Sequence, residues 1–394
     1  MTTADAGSAL FEPLRLRGVT LPNRIGVSPM CMYSSRDGFA TDFHLVHLGR
    51  FALGGAGLVI MEATAVSPRG RISPRDAGIW KDAHMPRLAQ VARFLTDSGA
   101  VAGIQLAHAG RRAAVREPWR AGAPLDEQDA GAGFPPWQTE APSTLAPGAG
   151  WPEPNAMNDT DIRRSIREWR DAARRAVAAG FRFIELHGAH GYLLHSFLSP
   201  LSNRRTDEWG GSAAARQRYP LAVVDAVREA IGPDNALSYR VSAVDGIDGG
   251  LGIEDTIEFA RALAAHGVDI VDTSSGGIST DRTADTRVRR GFAFHADFSR
   301  AVRHGAGVAA ATVGFVVDPR QAELLVDSGD ADLVLLGREM LDDPNWAHHA
   351  RRTVAPGHEA AHWDIRFGSA LTPRQGTLAR LAASGETPLT RFGH

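Results

Sequence analysis

Two histidines and a tyrosine stand close together in the segment Glu185–Leu193, at the end of an apolar run of strand type. His187, His190 and Tyr192 would share one site if that run is a strand, because all three lie at its C-terminal end. Two imidazoles could hold and polarise a carbonyl or nitro oxygen, and a phenol could donate a proton. A zinc site needs at least a third protein ligand, and none is obvious nearby. A lone histidine here would most often be structural, but the three side chains together favour polarisation and proton transfer.

Other strand-like runs carry a cysteine, an arginine and a glutamine. The single cysteine, Cys31, follows the run Arg24–Ser28 and precedes Tyr33; it is either a small buried hydrophobe or a contact of a redox cofactor. Arg240 lies within a run and needs an anionic partner, which the N1–C2 edge of a reduced flavin would supply. Gln105 could offer donors and an acceptor to a ring edge. Taken singly, Arg240 and Gln105 could equally be satisfied polar residues inside a barrel.

Glycines follow the last two strand-like runs, at Gly314 and Gly337, and Arg338 comes directly after the second. Glycine lets backbone N–H groups approach an anion closely, and arginine adds a charge with fork geometry. Eight-stranded α/β barrels commonly bind a phosphate at this place. The alternative is a pair of ordinary turn glycines and a surface arginine.

Short apolar runs alternate with longer segments of helical period along the chain. The runs are mostly continuous, as expected for parallel strands covered on both faces. We predict strands at Arg24–Ser28, Gly57–Glu62, Val101–Leu106, Phe181–His187, Ala236–Ser242, Val268–Thr273, Gly307–Ala311 and Ala331–Leu336. We predict helices at Phe43–Gly54, Met85–Ser98, Asp161–Ala179, Ala213–Ala230, Ile253–Ala265, Ala296–Arg303, Pro319–Asp327 and Asn345–Arg352.

Alternating strands and helices predict the α/β class and a closed (β/α)8 TIM barrel. No G-x-G-x-x-G pattern follows the first strand, which weakens an open dinucleotide-binding sheet. We therefore predict a single domain over residues 1–394, with the barrel at about 10–352. Residues 110–158, rich in proline and glycine, predict a long active-site loop after the third strand. Residues 353–394 predict a C-terminal tail that extends towards a neighbouring subunit.

The composition is that of an ordinary globular protein. The net charge is -2, and the basic residues are scattered among acidic ones, which gives no footprint for nucleic acid. One cysteine excludes an intrachain disulfide and any four-cysteine zinc or iron–sulfur site. The N-terminus lacks a signal-peptide pattern, and no apolar run approaches the length of a membrane span. We predict a soluble cytoplasmic protein with a small-molecule substrate.

Taken together, the motifs resemble the Old Yellow Enzyme family of NADH:flavin oxidoreductases, and within it the bacterial thermophilic-like or xenobiotic reductase branch. The resemblance covers about residues 10–349. The segments that carry it are Leu10–Leu14, Asn23–Ile25, Ser28–Tyr33, His187–Leu193, Phe197–Pro200, Asn203–Asp207, Trp209–Ser212, Gly337–Arg338 and Asp343–Trp346. No segment is decisive alone, but their order along one chain makes the resemblance strong.

The resemblance implies FMN as cofactor and NADPH or NADH as reductant, without a separate nucleotide-binding domain. It implies an isoalloxazine ring with Arg240 against its N1–C2 edge and Cys31 tuning its potential. The residues it implies along the ring are Pro29, Met30, Cys31, Ala63 and Gln105. The residues it implies at the FMN phosphate are Gly314, Gly337 and Arg338.

The same resemblance implies an ene-reductase that acts on activated carbon–carbon double bonds in α,β-unsaturated carbonyl or nitro compounds. His187 and His190 would hydrogen-bond the substrate's oxygen, and hydride would pass from flavin N5 to the β-carbon. Tyr192 would donate a proton to the α-carbon, and Tyr33 would touch the substrate.

The chain departs from the family's pattern at two positions of this sequence. Gly188 stands where many relatives carry alanine or a larger residue, and we expect this to open the pocket slightly. Val313 stands where a close bacterial subgroup has a bulky aromatic residue. Relatives form homodimers or higher even oligomers and often pass a C-terminal arginine or aromatic side chain into the neighbour's site. The candidates here are Trp363, Arg366 and Arg391.

Two alternatives remain open from the sequence. A flavin barrel could run in the oxidative direction, as a dehydrogenase or oxidase, with the same residues. A flavin-free barrel lyase or isomerase could share the phosphate loops, but it would have no use for Cys31, Gln105 and Arg240. A non-catalytic binding protein would leave the histidines and Tyr192 without a purpose.

Overall fold

Parallel strands close into a barrel at the centre of the molecule. The computed structural model describes residues 7–281, 288–355 and 363–390. Within these ranges the strands, in chain order, are β1 (Leu14–Leu16), β2 (Val19–Leu21), β3 (Ile25–Val27), β4 (Leu58–Ala65), β5 (Val101–Ala107), β6 (Glu140–Ala141), β7 (Asn155–Ala156), β8 (Phe183–Gly188), β9 (Ala236–Ser242), β10 (Ile270–Ser274), β11 (Ala309–Thr312) and β12 (Leu333–Leu336). The barrel follows the order β3, β4, β5, β8, β9, β10, β11, β12, and β12 pairs with β3 to close it. The predicted (β/α)8 barrel is confirmed.

Each of the eight predicted strands overlaps an observed barrel strand. Four of the predicted runs begin two residues too early, at Phe181, Val268, Gly307 and Ala331. Three of these residues, Phe181, Val268 and Ala331, are buried in the core before the strand pairing starts, so an apolar run alone does not reveal where a strand begins.

Helices cover the outside of the barrel. In chain order they are α1 (Asp42–Leu53), α2 (Met85–Asp97), α3 (Glu127–Gly131), α4 (Asp159–Ala178), α5 (Leu193–Leu198), α6 (Ala213–Ile231), α7 (Ile253–Ala265), α8 (Ala296–Ala306), α9 (Pro319–Asp327), α10 (Arg338–Asp342), α11 (Trp346–Val354) and α12 (Ile365–Ala383). The eight predicted helices correspond to α1, α2, α4, α6, α7, α8, α9 and α11. Helix α4 begins two residues before its predicted start because the Asn158 side chain accepts a hydrogen bond from the backbone N–H of Asp161, 3.0 Å away.

A hairpin that was not predicted closes the barrel at the N-terminal ends of its strands. Strands β1 and β2 pair antiparallel and place alternate leucine and valine side chains towards the barrel interior. The hairpin residues in this apolar cluster are Leu14, Leu16, Val19 and Leu21. They pack against Phe183 and Ile270, the first residues of β8 and β10, so this end of the barrel is filled with apolar side chains.

The predicted active-site loop, residues 110–158, is an ordered excursion with its own short strands. Strands β6 and β7 pair in parallel across it. Trp137 and Trp151 pack against the apolar cluster at the C-terminal end of the barrel. The indole N–H of Trp137 donates to the carbonyl of Arg69 at 3.0 Å, which ties the loop to the segment after β4. The loop therefore covers part of the barrel mouth, where the candidate residues lie.

The C-terminal tail contains helix α12, which the weak periodicity of the tail did not predict. Its side chains are mostly exposed, including Ile365 at 81% and Leu378 at 45%. Before it, the Trp363 ring stacks on His348 with ring centroids 3.9 Å apart. No helix in the described ranges has the length and apolar character needed to cross a membrane.

Candidate active site

A chain of hydrogen bonds joins the two histidines at the end of β8. The backbone N–H of Ala189 donates to Nδ1 of His187 at 3.3 Å, so the proton of this imidazole is on Nε2. That nitrogen lies 3.3 Å from Nδ1 of His190, and His190 Nε2 lies 2.7 Å from Oγ of Ser274. The consistent assignment is one proton on each Nε2, donated along the chain from His187 to His190 to Ser274.

The backbone of His190 is held in the left-handed region, with φ of 59°. Non-glycine residues rarely adopt this conformation unless their surroundings fix it. The His190 N–H donates to Oγ of Ser242 at 2.9 Å, and its carbonyl accepts from Nη1 of Arg112 at 2.9 Å. The same Arg112 nitrogen donates to the carbonyl of Gly277, which follows β10. Arg112 thus joins the loops after β5, β8 and β10.

Both imidazoles are neutral near pH 7. Burial lowers the pKa of His187 and of His190 well below the usual value, and repulsion from the nearby Arg240 guanidinium lowers both further. A neutral imidazole can donate an N–H to an oxygen without carrying a charge. The pair is therefore suited to hydrogen bonding rather than to acid catalysis.

Tyr192 lies against His187, with ring centroids 4.8 Å apart in an edge-to-face arrangement. It precedes α5 and packs with Cys31 against the small apolar cluster at the mouth, which includes Ala63 and Ala107. Burial raises the pKa of the phenol above its usual value. Tyr192 therefore retains its proton at neutral pH and can act as a donor.

A buried histidine–aspartate pair fixes the turn that carries Tyr192. The backbone N–H of Gly191 donates to Nδ1 of His195 at 2.8 Å, and His195 Nε2 lies 2.9 Å from Oδ1 of Asp245. The other oxygen of Asp245 accepts from Ser199 at 2.7 Å and from the N–H of Leu251 at 2.8 Å. The histidine lowers the pKa of Asp245 against the raising effect of burial, so the carboxyl group is ionised.

Cys31 and Tyr33 follow β3 and lie near Tyr192 at the same mouth. Burial raises the pKa of the Cys31 thiol well above its usual value, and the nearby acids Asp76 and Glu62 raise it further. The thiol is therefore protonated and is not an activated nucleophile. The Tyr33 ring meets Trp119 of the loop edge to face, with ring centroids 5.5 Å apart, and its backbone is also left-handed, with φ of 52°.

Below the histidines, the barrel interior carries a buried polar layer. Nε2 of Gln105 donates to Oε1 of Glu185 at 2.9 Å, and Oγ of Ser238 donates to Oε2 of Glu185 at 2.9 Å. Nε of Arg240 lies 3.1 Å from Oδ2 of Asp272. Strand register places Arg240 between His187 on β8 and Asp272 on β10, so it links the layer to the mouth.

The segment after β10 lines a cavity at the mouth together with residues that follow β5, β8, β11 and β12. A cavity of about 560 Å³ is lined by Ser274, Ser275, Arg112, Phe315 and Arg338, among others. The Arg338 guanidinium lies 5.2 Å from the Phe315 ring centre. Across the described ranges it forms no ion pair with a carboxylate, which leaves its charge for a ligand.

The two glycines of this region, Gly314 and Gly337, differ in what an added side chain would meet. Gly314 has φ of 122°, and a Cβ there would lie 3.0 Å from Nδ1 of His295. A Cβ on Gly337 would meet only Sδ of Met30, at 3.6 Å. His295 is fixed by hydrogen bonds to the Val313 carbonyl at 2.9 Å and to Ser275 at 2.8 Å. The backbone at both glycines can therefore come close to an anion.

The model of the NADH:flavin oxidoreductase / NADH oxidase family matches residues 9–355. The chain belongs to this family. It is thus an NAD(P)H-dependent flavin oxidoreductase with FMN as its flavin, and the flavin-free lyase alternative is set aside. The resemblance to the Old Yellow Enzyme family is confirmed.

Relatives of this flavin oxidoreductase match it along most of their length. An NADPH dehydrogenase of Geobacillus thermodenitrificans is 40% identical over 355 residues, which is 90% of this chain and 96% of the relative. The structure of morphinone reductase has a TM-score of 0.73 and 27% identity, and covers 89% of this chain and 91% of its own. An old yellow enzyme homologue from Zymomonas mobilis has a TM-score of 0.70 and 26% identity, with 87% and 92% covered. Morphinone reductase has also been solved in complex with tetrahydroNAD.

The residues at the mouth of this flavin oxidoreductase fit FMN. Arg240 is almost fully buried and its Nε faces Asp272, but within the described ranges the rest of its guanidinium has only a long hydrogen bond of 3.5 Å to Oγ of Ser28. An acceptor edge is needed for its remaining donors. Arg338, as described, has a charge without a carboxylate partner beside two loop glycines. FMN has a ring edge that accepts hydrogen bonds and an anionic phosphate. Arg240 is suited to the first and Arg338 to the second.

The structure corrects the expectation for Gly188. A Cβ at this position would lie 2.1 Å from Cε1 of Tyr239, on the outer face of the barrel. The Tyr239 ring is fully buried there and contacts Phe259 of α7. The expectation that Gly188 opens the substrate pocket is therefore wrong, because its missing side chain makes room for a core tyrosine.

The structure brings most predicted site residues to one end of the barrel, and it adds several that the sequence did not reveal. His187, His190, Tyr192, Cys31 and Tyr33 surround the mouth, as described. The tail candidates do not reach it within their own chain: Trp363 stacks at the opposite end of the barrel, and Arg366 pairs with Asp364 at 2.6 Å. Arg391 lies outside the described residues.

The residues that sequence reasoning missed are Arg112, His195, Asp245, Ser274 and the pair of buried acids Glu185 and Asp272. A signal existed for the acids, because each is a charged residue inside an apolar strand and so needs a partner.

Proposed function

We propose that this enzyme is an ene-reductase, which uses NAD(P)H to reduce activated carbon–carbon double bonds in α,β-unsaturated carbonyl or nitro compounds. The observation that carries the proposal is the neutral pair His187 and His190 beside a protonated Tyr192. Neutral imidazoles polarise an oxygen by hydrogen bonding. A phenol with a raised pKa retains its proton until a basic carbon takes it.

For the cofactor, we assign residues of this chain to two contact regions. Arg240 would hold the N1–C2 edge of the isoalloxazine ring with the terminal nitrogens of its guanidinium, since its Nε faces Asp272 and Nη1 has only a long hydrogen bond to Ser28. Residues along the ring would be Pro29, Met30, Cys31, Ala63 and Gln105. Residues at the phosphate would be Gly314, Gly337 and Arg338, which line one cavity together.

For the substrate, the two histidines would act as a single oxygen-binding pair. When bound, FMN supplies a hydride from N5, which it gained from NAD(P)H. The Nε2–H of His187 would turn from His190 to the substrate oxygen, because an oxygen that gains negative charge is the stronger acceptor. His190 would release its proton from Ser274 in the same way. Tyr192 would donate its proton to the α-carbon and regain one from solvent.

The reductant is proposed to be NADPH, bound at the same mouth. The relative from Geobacillus thermodenitrificans is an NADPH dehydrogenase. The tetrahydroNAD complex of morphinone reductase supports a nicotinamide site in a barrel of this kind without a second domain. NADH and NADPH can be compared directly in the experiment below.

Anaerobic half-reactions test the function. Purified protein should be yellow, NADPH should bleach the flavin absorbance, and cyclohexenone or maleimide should restore it with formation of the saturated product. Reoxidation by oxygen but by no activated alkene in the panel would contradict the proposal. Bleaching by a saturated ketone without NADPH would favour the oxidative direction instead.

We also propose that the enzyme assembles as a homodimer or higher even oligomer in the cytoplasm. Support for assembly comes from α12, which carries the exposed apolar side chains Ile365, Phe367 and Leu378. Mass measurement in solution, with and without residues 363–394, tests this; a monomer in both forms would contradict it. The single domain over residues 1–394 and the cytoplasmic location stay predictions of the sequence.

A further inference from the structure

Two buried carboxyl groups and one buried arginine share the polar layer below the mouth. Glu185 and Asp272 are fully buried, and Arg240 is 8% exposed. With both acids ionised, the group would carry one uncompensated negative charge in a water-free interior. An unpaired buried charge is costly, so such a group tends to bind a proton instead.

The contacts decide which acid would bind that proton. Asp272 lies across the strand pair from Arg240, with its oxygen 3.1 Å from the guanidinium. Glu185 has only the neutral donors Gln105 and Ser238 on its two oxygens. Burial raises the pKa of Asp272, and the adjacent Arg240 guanidinium lowers it. Asp272 is therefore the acid that Arg240 stabilises most directly in its ionised form, and Glu185 is the acid that can gain or lose a proton.

The charged groups that face Glu185 are few and well defined. Asp272 on β10 raises the pKa of Glu185, Arg240 on β9 lowers it, and burial raises it most, to about 8. From β5 and β9 it meets the neutral side chains of Gln105 and Ser238, and His187 above it on its own strand is neutral. The Ser238 hydroxyl can donate to an ionised Glu185 or turn to accept from a protonated one. The layer therefore accommodates both states of this acid without rearrangement.

We propose that Glu185 is a redox-linked proton acceptor that balances the charge of the reduced flavin. Hydride transfer from NADPH to FMN moves one hydrogen and two electrons, and it would leave one added negative charge on the ring edge that Arg240 would hold. In enzyme whose Glu185 is ionised, this carboxylate would then take one proton from solvent and become a neutral acid, so the combined charge of ring and polar layer would be unchanged. Oxidation of the flavin by substrate reverses this and releases the proton. The inference rests on the proposed position of the flavin edge at Arg240, and it makes Glu185 a charge-balancing residue that touches neither ring nor substrate.

The test is the midpoint potential of the bound FMN as a function of pH, measured with a chemical reductant and no substrate. For a two-electron couple, a tenfold change in proton concentration shifts the midpoint potential by about 30 mV for each proton taken up on reduction. Above pH of about 8, where Glu185 ionises in the oxidised enzyme, the wild-type slope should double from about 30 to about 60 mV per pH unit. Glu185→Gln imitates the neutral acid and should keep a slope of about 30 mV per pH unit throughout.

Matched variants separate this inference from the placement of the flavin. Glu168→Gln removes a partly buried acid of α4, outside the barrel, and should leave the wild-type slope unchanged. Arg240→Gln should lower the midpoint potential if the ring edge lies on Arg240; no change would reject that placement. A lowered potential in Arg240→Gln together with equal slopes in wild type and Glu185→Gln would overturn the role of Glu185 alone.

Infrared difference spectroscopy gives a second readout that does not depend on the stability of one variant. Reduction of the wild type above pH of about 8 should produce a carbonyl band of a protonated carboxylic acid, and the band should be absent in Glu185→Gln. The same band in both proteins would assign the proton to another group and overturn the inference. Glu185→Asp, which keeps an ionisable acid, should retain both the band and a slope above 30 mV per pH unit.

Discussion

His195 and Asp245 form a buried pair, 2.9 Å apart, that holds the turn in front of Tyr192 although neither side chain faces the substrate mouth. The pair therefore couples the position of the proposed proton donor to the ionisation of a carboxyl group on another loop.

Asp245→Asn should destabilise the protein by about 1.5 to 3 kcal/mol, because it replaces the charged acceptor of the buried His195 Nε2–H by a neutral one. The histidine holds the folded-state pKa of Asp245 below its ordinary value. The ionised Asp245 carboxylate therefore stabilises the fold at pH values above its unfolded-state pKa, and this stabilisation is lost as the pH falls through its folded-state pKa. The difference in free energy of unfolding between wild type and Asp245→Asn should thus narrow only at acidic pH. Chemical unfolding at several pH values measures this. Asp225→Asn, in the exposed pair with His266, is the matched control and should cost less than about 1 kcal/mol.

Tyr192→Phe should slow the reduction of an enone by the reduced flavin by about 10² to 10⁴-fold, which is the usual contribution of a positioned proton donor. Reduction of the flavin by NADPH needs no proton from this phenol and should stay within a few-fold of wild type. Stopped-flow measurement of the two half-reactions separates the effects. Tyr219→Phe removes a phenol buried on α6, bonded to Ser165, and should slow neither half-reaction. An equal loss in both half-reactions of Tyr192→Phe would point to a structural role.

Arg338→Gln should weaken FMN binding by about 10- to 100-fold, since a hydrogen bond to a charged group contributes about 1.5–3 kcal/mol. Titration of apoprotein with FMN, followed by flavin fluorescence, gives the dissociation constant. Arg320→Gln, on the exposed start of α9, should bind FMN as wild type does. Equal affinity in the Arg338 and Arg320 variants would move the phosphate away from this loop.

His187→Gln should reduce the loss of unfolding free energy that the protein shows as the pH falls. The pKa of His187 is depressed in the folded state, so the unfolded chain binds a proton first as the pH falls below about 6.5. The folded wild type should therefore lose about 2 kcal/mol between pH 7 and pH 5 through this group, a loss that the variant does not share. Unfolding curves of the two proteins at both pH values test the difference. Parallel losses in the two proteins would mean that His187 titrates normally.

Gly188→Ala should destabilise the protein by about 1 to 3 kcal/mol, because its Cβ would overlap the Tyr239 ring. Thermal unfolding is the measurement. Gly376→Ala, in helix α12 with open space around it, is the matched control and should be neutral or slightly stabilising. A stable Gly188→Ala with altered substrate preference would restore the view that this glycine shapes the pocket.

The barrel and its mouth could be predicted from the sequence because continuous apolar runs and short polar clusters at their ends are local signals. His187, Cys31 and Arg338 were placed correctly at that end of the barrel on this basis. The position of Gly188 was open to the same reasoning and was missed: since Glu185 and His187 point inwards, strand alternation puts Gly188 outside.

The remaining features depend on contacts between distant segments. Asp245 lies 46 residues from Ser199 and 50 from His195 along the chain, and nothing local in the sequence joins them. The hairpin of β1 and β2 does show alternation at Leu14, Leu16, Val19 and Leu21, but that pattern does not say which surface the apolar side covers. The course of the loop over residues 110–158 depends on where Trp137 and Trp151 find a cluster to pack against.

The hairpin at the base of the barrel has a consequence for turnover. Because leucine and valine fill that end, the proposed nicotinamide and alkene substrates would both enter at the mouth, on the side where the histidines lie. They would then bind in turn, and the reduced flavin would hold the electrons between the two half-reactions.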